Sequence, residues 1–319
     1  MRKILKDESG ESAVVVALMM TVILAMAALV LDIGMAYVEA SSAQNAADAI
    51  VLSVGRYLPV SQNDNIKMNT IITEAKKYAE KNGLTNFKAE DLSFEKLANG
   101  KYSSLSVNVE KVSITRLAKI IGVEDITITK SASVSTVPTG AVSGAAPVGL
   151  TEEVYDAAIA SGHTNHLTLK VGGGDGVNGF YGLIVLDGSN GNANVLEKWL
   201  KYGYEGTNYV GQVLPVATGN KTSAVKSSVD FRMASCNHYV GYGGCTPEHY
   251  VKNCSRVMYI PVYRVNPDRT IIAIGFTAIL LEGSDDQDEI QGSLINVNVS
   301  YFDKISDKDC GIYTFRLTE

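Results

Sequence analysis

Residues Ser12 to Leu31, SAVVVALMMTVILAMAALVL, carry no charge, no glycine and no proline. Twenty residues at about 1.5 Å rise each extend about 30 Å, the thickness of a bilayer's hydrocarbon core. Thr21 is the one polar residue after Ser12, and a threonine hydroxyl bonds back to its own helix. A helix that is apolar on every side has no face to give to water. The run therefore predicts a single membrane-spanning helix at 12–31, entered by a charged tail at 1–11. Two other readings fit less well. A cleaved secretory signal has a shorter apolar core, roughly 7–15 residues, and a small-x-small end, whereas here the helical pattern continues past Leu31. A buried helix of a soluble protein at this length is normally interrupted by polar residues.

Basic flanks stay on the cytoplasmic side. Arg2, Lys3 and Lys6 precede the run, while Asp32, Glu39 and Asp48 follow it, with no basic residue before Arg56. The expected orientation is N-terminus inside, everything beyond Leu31 outside. Asp32 lies past the apolar core, which makes it an interfacial residue with no proton-relay role. Apolar residues make up 46% of the 319-residue chain, enough for packed domains, and the net charge is −6. An acidic chain without a basic stripe argues against nucleic acid as the main partner.

The expected fold class is α+β. An Ala-rich extension of the first helix occupies 32–58, with Ala36, Ala40, Ala43 and Ala47 at spacings of three and four. Such spacing lets two helix backbones approach closely, so these four are candidate helix-packing residues. A small α+β module at 59–137 follows, with a helix at Ile66–Asn82, a helical turn at Thr115–Ile121 and alternating strands at Ser104–Val112 and Ile126–Val137. Residues 138–149, PTGAVSGAAPVG, have the composition of a linker. A larger β-rich ectodomain at 150–319 completes the chain. Its expected helices are Glu152–Ala160 and Asn194–Tyr202; its strands are Leu167–Val171, Tyr181–Leu186, Gly211–Val216, Val257–Val265, Thr270–Leu281, Ile290–Val299 and Ile312–Leu317.

No catalytic constellation stands out, and no cofactor is expected. The glycines at Gly172–Gly179 lack the Gly-Lys-Ser/Thr of a phosphate loop and read as a hairpin turn. Asp187-Gly188-Ser189 follows an apolar strand, as in the metal site of von Willebrand A domains, but the position of the next serine ligand is Gly191, and an Asp-Gly turn is the default. The acidic stretch Glu282–Glu289 reads as a solvated turn. The four cysteines, Cys236, Cys245, Cys254 and Cys310, all lie in the last third. With His238 and His249 interleaved, a zinc reading competes with a disulfide reading. The absence of Cys-x-x-Cys spacing and the expected outer location favour two disulfides and no metal.

Three pieces, Glu8-Ser9-Gly10, Leu31-Asp32-Ile33-Gly34 and Gln44-Asn45-Ala46-Ala47-Asp48-Ala49, keep the order and spacing of the N-terminal segment of TadE/TadG-like proteins of the tight-adherence (Flp) pilus system, which the chain resembles. Downstream, Phe180–Leu183 with Leu186–Gly188, Tyr202–Gly206, Thr218–Asn220, Cys254–Pro261 and Gly275–Ala278 are similar to the ectodomain of Gram-positive TadG-like proteins. The resemblance implies a non-enzymatic accessory component of pilus assembly, anchoring or surface display, single-pass in a bacterial cell membrane. Its partners would be other pilus-assembly proteins met through the N-terminal helix. It also implies pairing of Cys236 with Cys254, leaving Cys245 for Cys310. Prepilin peptidase substrates carry Glu five residues after the glycine; here Val15 stands there, which argues against processing at Gly10. The readings from other classes are a divalent-ion-dependent adhesin or ligand-binding domain and, further off, an anchored hydrolase.

Overall fold

The computed structural model describes residues 9–96, 100–170, 182–189, 191–217, 222–268, 270–284, 289–299 and 304–318. The chain divides into two compact units, 1–136 with 316–319, and 137–315. The glycine run at 172–179 and the centre of the acidic stretch, 285–288, lie outside the described residues.

In the first unit one helix, α1 (Ser9–Gly55), runs without a break for 47 residues, about 70 Å at helical rise. From Val14 to Val38 its large apolar side chains are exposed on nearly every turn. From Ala43 onward the pattern reverses: Ala43, Ala46, Ala47, Ile50, Val51 and Val54 are buried, a three-four stripe that faces a core. α2 (Asn65–Lys81) offers the matching stripe of Ile71, Ala75 and Ala79, and Asp64 caps it by accepting the Lys67 amide. The unit's strands pair antiparallel: β1 (Val60–Ser61) and β2 (Leu92–Lys96) pair with β3 (Lys101–Ser113), which pairs with β4 (Ile126–Pro138). Leu105 lies opposite Val134, and Val107 opposite Ala132. The alternation of these strands thus points one apolar face at α1, which in turn packs on α2. The helical turn expected at Thr115–Ile121 shortens to a 3-10 turn at Ala118–Ile121.

In the second unit the strands are β5 (Ala141–Ser143), β6 (Leu150–Thr151), β7 (Leu167–Lys170), β8 (Thr207–Tyr209), β9 (Val213–Leu214), β10 (Val257–Val265), β11 (Ile271–Gly283), β12 (Glu289–Ile295), β13 (Val297–Asn298) and β14 (Ile312–Thr318), whose last three residues belong to the first unit. The main sheet has the order β6-β10-β11-β12-β7, with β9 on the far end of β11. Its helices are α3 (Glu152–Ser161), α4 (Ala193–Tyr202) and α5 (Thr222–Ala234). Met258, Ile260, Val262, Ile279 and Leu281 pack with Leu196, Trp199, Leu200, Val225 and Val229 of α4 and α5. The opposite side chains of the same strands, Val257, Phe276, Ala278 and Leu280, enter a second core with Cys245, Cys254 and Val297. β11 is covered on both faces, which is why it reads as one continuous apolar run and not as an alternation.

Two sequence expectations change here. Residues 138–149 are not a solvated linker: Ala141, Val142, Ala145, Ala146 and Val148 are buried, and Ala146 donates its amide to Tyr259 O. Small residues serve at this point because the backbone itself is packed. Of the strand expected at Tyr181–Leu186, the described residues 182–186 form only an isolated bridge, from Ile184 to Val216.

A side chain at Gly149 would place its Cβ 2.5 Å from the Pro261 carbonyl oxygen. Gly149→Ala is expected to lower the stability of the second unit by about 2 kcal/mol, measured by urea unfolding of the full chain. In the same unit Glu152 binds the guanidinium of Arg264 through both carboxylate oxygens and accepts Lys308 Nζ at 2.9 Å. The Arg264 bond, then the Lys308 bond, holds its carboxyl down at about 2. A depressed carboxyl stabilises the fold at pH above its unfolded value and loses that contribution as pH falls toward about 2. Glu152→Gln should therefore cost about 1 kcal/mol at pH 7, given partial exposure, and the gap from wild type should narrow in unfolding curves taken near pH 3.

Candidate functional site

Two places in the described residues gather groups with more than a packing role, one in each unit. The first lies on α1, ahead of the point where its exposed apolar surface gives way to a buried one. Asp32, 4% exposed, points its carboxylate at the chain just before and into the 3-10 turn. It accepts the amides of Arg116 at 3.3 Å, Leu117 at 3.0 Å and Ala118 at 2.6 Å. Three converging N–H groups at the start of a helical turn form an anion nest, and a carboxylate fits it as a cap does. On the loop so held, Ile114, Leu117, Ile120 and Val123 are exposed, Ile120 at 82%. The neighbouring cations are Arg116 and Lys119, and Lys119 sits 3.7 Å from Asp125.

Below this contact the helix keeps exposed apolar side chains on its other sides, at Ile33, Met35, Tyr37 and Val38. Gly34 opens onto free space. Of the four alanines singled out by spacing, Ala43 and Ala47 are fully buried within their own unit, where α1 packs on α2 and β3. Ala36 and Ala40 are half-buried. Polar ties reinforce that packing, with Lys111 Nζ donating to Ser42 Oγ at 2.8 Å and Gln44 Nε2 to Ser131 O at 3.1 Å. Nothing in the sequence pattern pointed to the Asp32 nest, because its donors lie more than 80 residues away.

The second place is the segment between α5 and β10. Cys236, His238, Cys245 and Cys254 bring their Sγ and imidazole nitrogen atoms within 4.8 Å of one another. All four cysteines are free, so the expected disulfide framework is not what the geometry builds. Cys254 Sγ lies 3.4 Å and Cys245 Sγ 3.9 Å from Cys236 Sγ. Cys310 belongs to the other core, against Gly275, and is no partner for Cys245. Burial of Cys236 opposes its ionisation, but the amides of Cys245 and His238 and the Cys254 thiol more than offset that, bringing it to about 6. Burial pushes Cys254 up to about 11 and Cys310 up to about 12. Buried Arg232 donates to the carbonyls of Leu200, Ser255 and Val257, and buried Arg256 to that of Leu281. His249 stays outside the group, in a turn with Thr246, and His166 Nδ1 meets Glu282 Oε2 at 2.8 Å. Asp187 accepts the Ser189 amide at 2.9 Å, a local Asx turn.

Residues 10–56 match the family model described as putative Flp pilus-assembly TadE/G-like. The matched stretch takes in all of α1 past Gly10, including Asp32 and Gly34, and stops before the downstream motifs. No curated protein and no solved structure matches the chain.

Asp32→Ala removes the acceptor of three amides. Hydrogen exchange at Arg116, Leu117 and Ala118 should quicken by more than about tenfold, while amides of Leu105 and Val107 in β3 keep their protection.

Proposed function

We propose that this chain is a non-enzymatic, membrane-anchored accessory component of Flp-type pilus assembly, with everything beyond its spanning helix displayed outside the cytoplasmic membrane. The TadE/G-like match at 10–56 supports the pilus role. The anchoring reading rests on one observation: α1 exposes its apolar side chains from Val14 to Val38 and buries them from Ala43. One continuous helix thus has a lipid-type surface first and a protein-type surface after.

Asp32 and its loop fit the water-lipid boundary of such an anchor. The apolar tips Ile114, Leu117 and Ile120, beside Arg116 and Lys119, have the composition of a segment resting on a bilayer surface with anionic headgroups. Partner helices would meet α1 over Ile33, Gly34, Tyr37 and Val38, next to half-buried Ala36 and Ala40. The deeper alanines, Ala43 and Ala47, are already taken up by the chain's own fold.

Deleting the gene should abolish or strongly reduce surface pili in electron micrographs, and normal piliation and attachment would refute the assembly role. In a complemented strain, Gly34→Leu with Tyr37→Glu should fail to restore pili, although the protein accumulates to wild-type level and its units unfold at the wild-type urea concentration. Protease added to spheroplasts should digest everything beyond Gly55; a protected C-terminal part would refute the orientation.

A further inference from the structure

We infer that Cys236, His238, Cys245 and Cys254 form a structural zinc site that fastens the segment from α5 to β10 onto the second face of the sheet. The inference does not depend on the pilus reading; it concerns what holds this part of the second unit in place.

The first ground is distance. Four zinc ligands at about 2.0–2.3 Å from the ion stand at the corners of a tetrahedron, with sulfur-sulfur edges of about 3.8 Å. The separations of 3.4 and 3.9 Å from Cys236 to Cys254 and Cys245 bracket that edge. A disulfide needs about 2.05 Å and consumes two thiols, which would strand the third beside it. The second ground is the imidazole. His238 Nδ1 is buried and has no hydrogen-bond partner among the described residues, and it shares the 4.8 Å cluster with the three sulfurs. A buried imidazole nitrogen without a donor or acceptor carries a desolvation cost that a metal bond removes. A Cys-Cys bond leaves it unexplained.

The third ground is the surrounding charge. Three thiolates and a neutral histidine around a divalent ion leave one net negative charge. Arg232 and Arg256 are both buried and bind backbone carbonyls, with no carboxylate within ion-pair distance among the described residues. A Cβ built on Gly244 would stand 2.9 Å from Arg256 Nη1 and 3.9 Å from Cys236 Sγ, which sets that guanidinium beside the cluster. The Arg256 amide donates to Cys254 Sγ at 3.5 Å, the kind of outer bond that orients a metal thiolate.

The last ground is the segment itself. Between Ala234 and Val257 the only regular structure is the 3-10 turn Val240–Tyr242, entered through Tyr239 at φ 52°. Connections this long with so little structure of their own need a fastening. All four ligands come from the protein, so the site is closed and structural, with no position left for substrate. Soft sulfur ligands with one imidazole select zinc over magnesium or calcium.

The test uses the full chain, purified in detergent without chelator. Mass spectrometry of metals should find one zinc per chain. Cys236, Cys245 and Cys254 should resist alkylation until a chelator is added, whereas Cys310 is unaffected by the chelator. His238→Ala and Cys245→Ser should each weaken binding of added zinc more than tenfold, and Cys310→Ser should leave it unchanged. Should the ligand variants fail to fold, wild-type protein loaded with cobalt(II) supplies the readout, through a thiolate charge-transfer band. A chain lighter by two hydrogens that takes up neither zinc nor cobalt would overturn the proposal in favour of a disulfide. Wild-type zinc affinity in Cys245→Ser would overturn it in favour of adventitious metal.

Discussion

One helix has to satisfy two solvents. Over its first turns α1 offers side chains that water does not accommodate, and from Ala43 the same unbroken backbone supplies a wall of a packed domain. The change falls between Val38 and Ala43, and Asp32 stands on its apolar side. A carboxylate at that point cannot face hydrocarbon, and it does not face bulk water either. It closes a nest of three amides, so that the charge is matched and the loop is fixed in the same step.

The sequence disclosed what is periodic or continuous. The apolar run of α1, the stripe of α2, the alternation of β3 and β4 and the unbroken run of β11 were all legible because burial on one face, or on both, imposes a repeat. Where function of the backbone replaced the repeat, the reading failed. Residues 138–149 look like a linker because they are small, yet they are small because carbonyls and Cβ-free glycines must fit between other chains of atoms, as Gly149 does beneath Pro261. α5 escaped notice since Thr222–Ser228 is rich in Ser, Thr and Val, poor helix formers in isolation. Its face of Val225, Val229 and Arg232 is held by tertiary packing instead.

The sites show the same division. Spacing selected Ala36, Ala40, Ala43 and Ala47 as an outward-facing set, but the fold turns the deeper pair inward, since a three-four pattern does not say whether the partner helix belongs to the same chain. The cysteines were visible as a group, and their grouping in space was not. Three converge with His238 through a loop whose turns depend on positive φ at Tyr239, Gly243 and Gly244, whereas Cys310 reaches the other side of the sheet. Separation along the chain carries no information about which face of a sheet a thiol will occupy.

The absence of any break in α1 has a mechanical meaning. Helices bend at proline, Gly/Ser pairs or bulges; α1 contains no proline, and its Ser41-Ser42 pair stays helical, with Ser42 Oγ accepting from Lys111 Nζ. It is one continuous helix, held at Asp32 and again from Ala43 onward. On the anchored reading, no proline lies between the exposed apolar half and the half that packs on α2 and β3 to absorb a change of tilt. Orientation is then carried along one unbroken backbone from the apolar half of α1 to its packed half, much as a pointer fixed to an axle carries a turn.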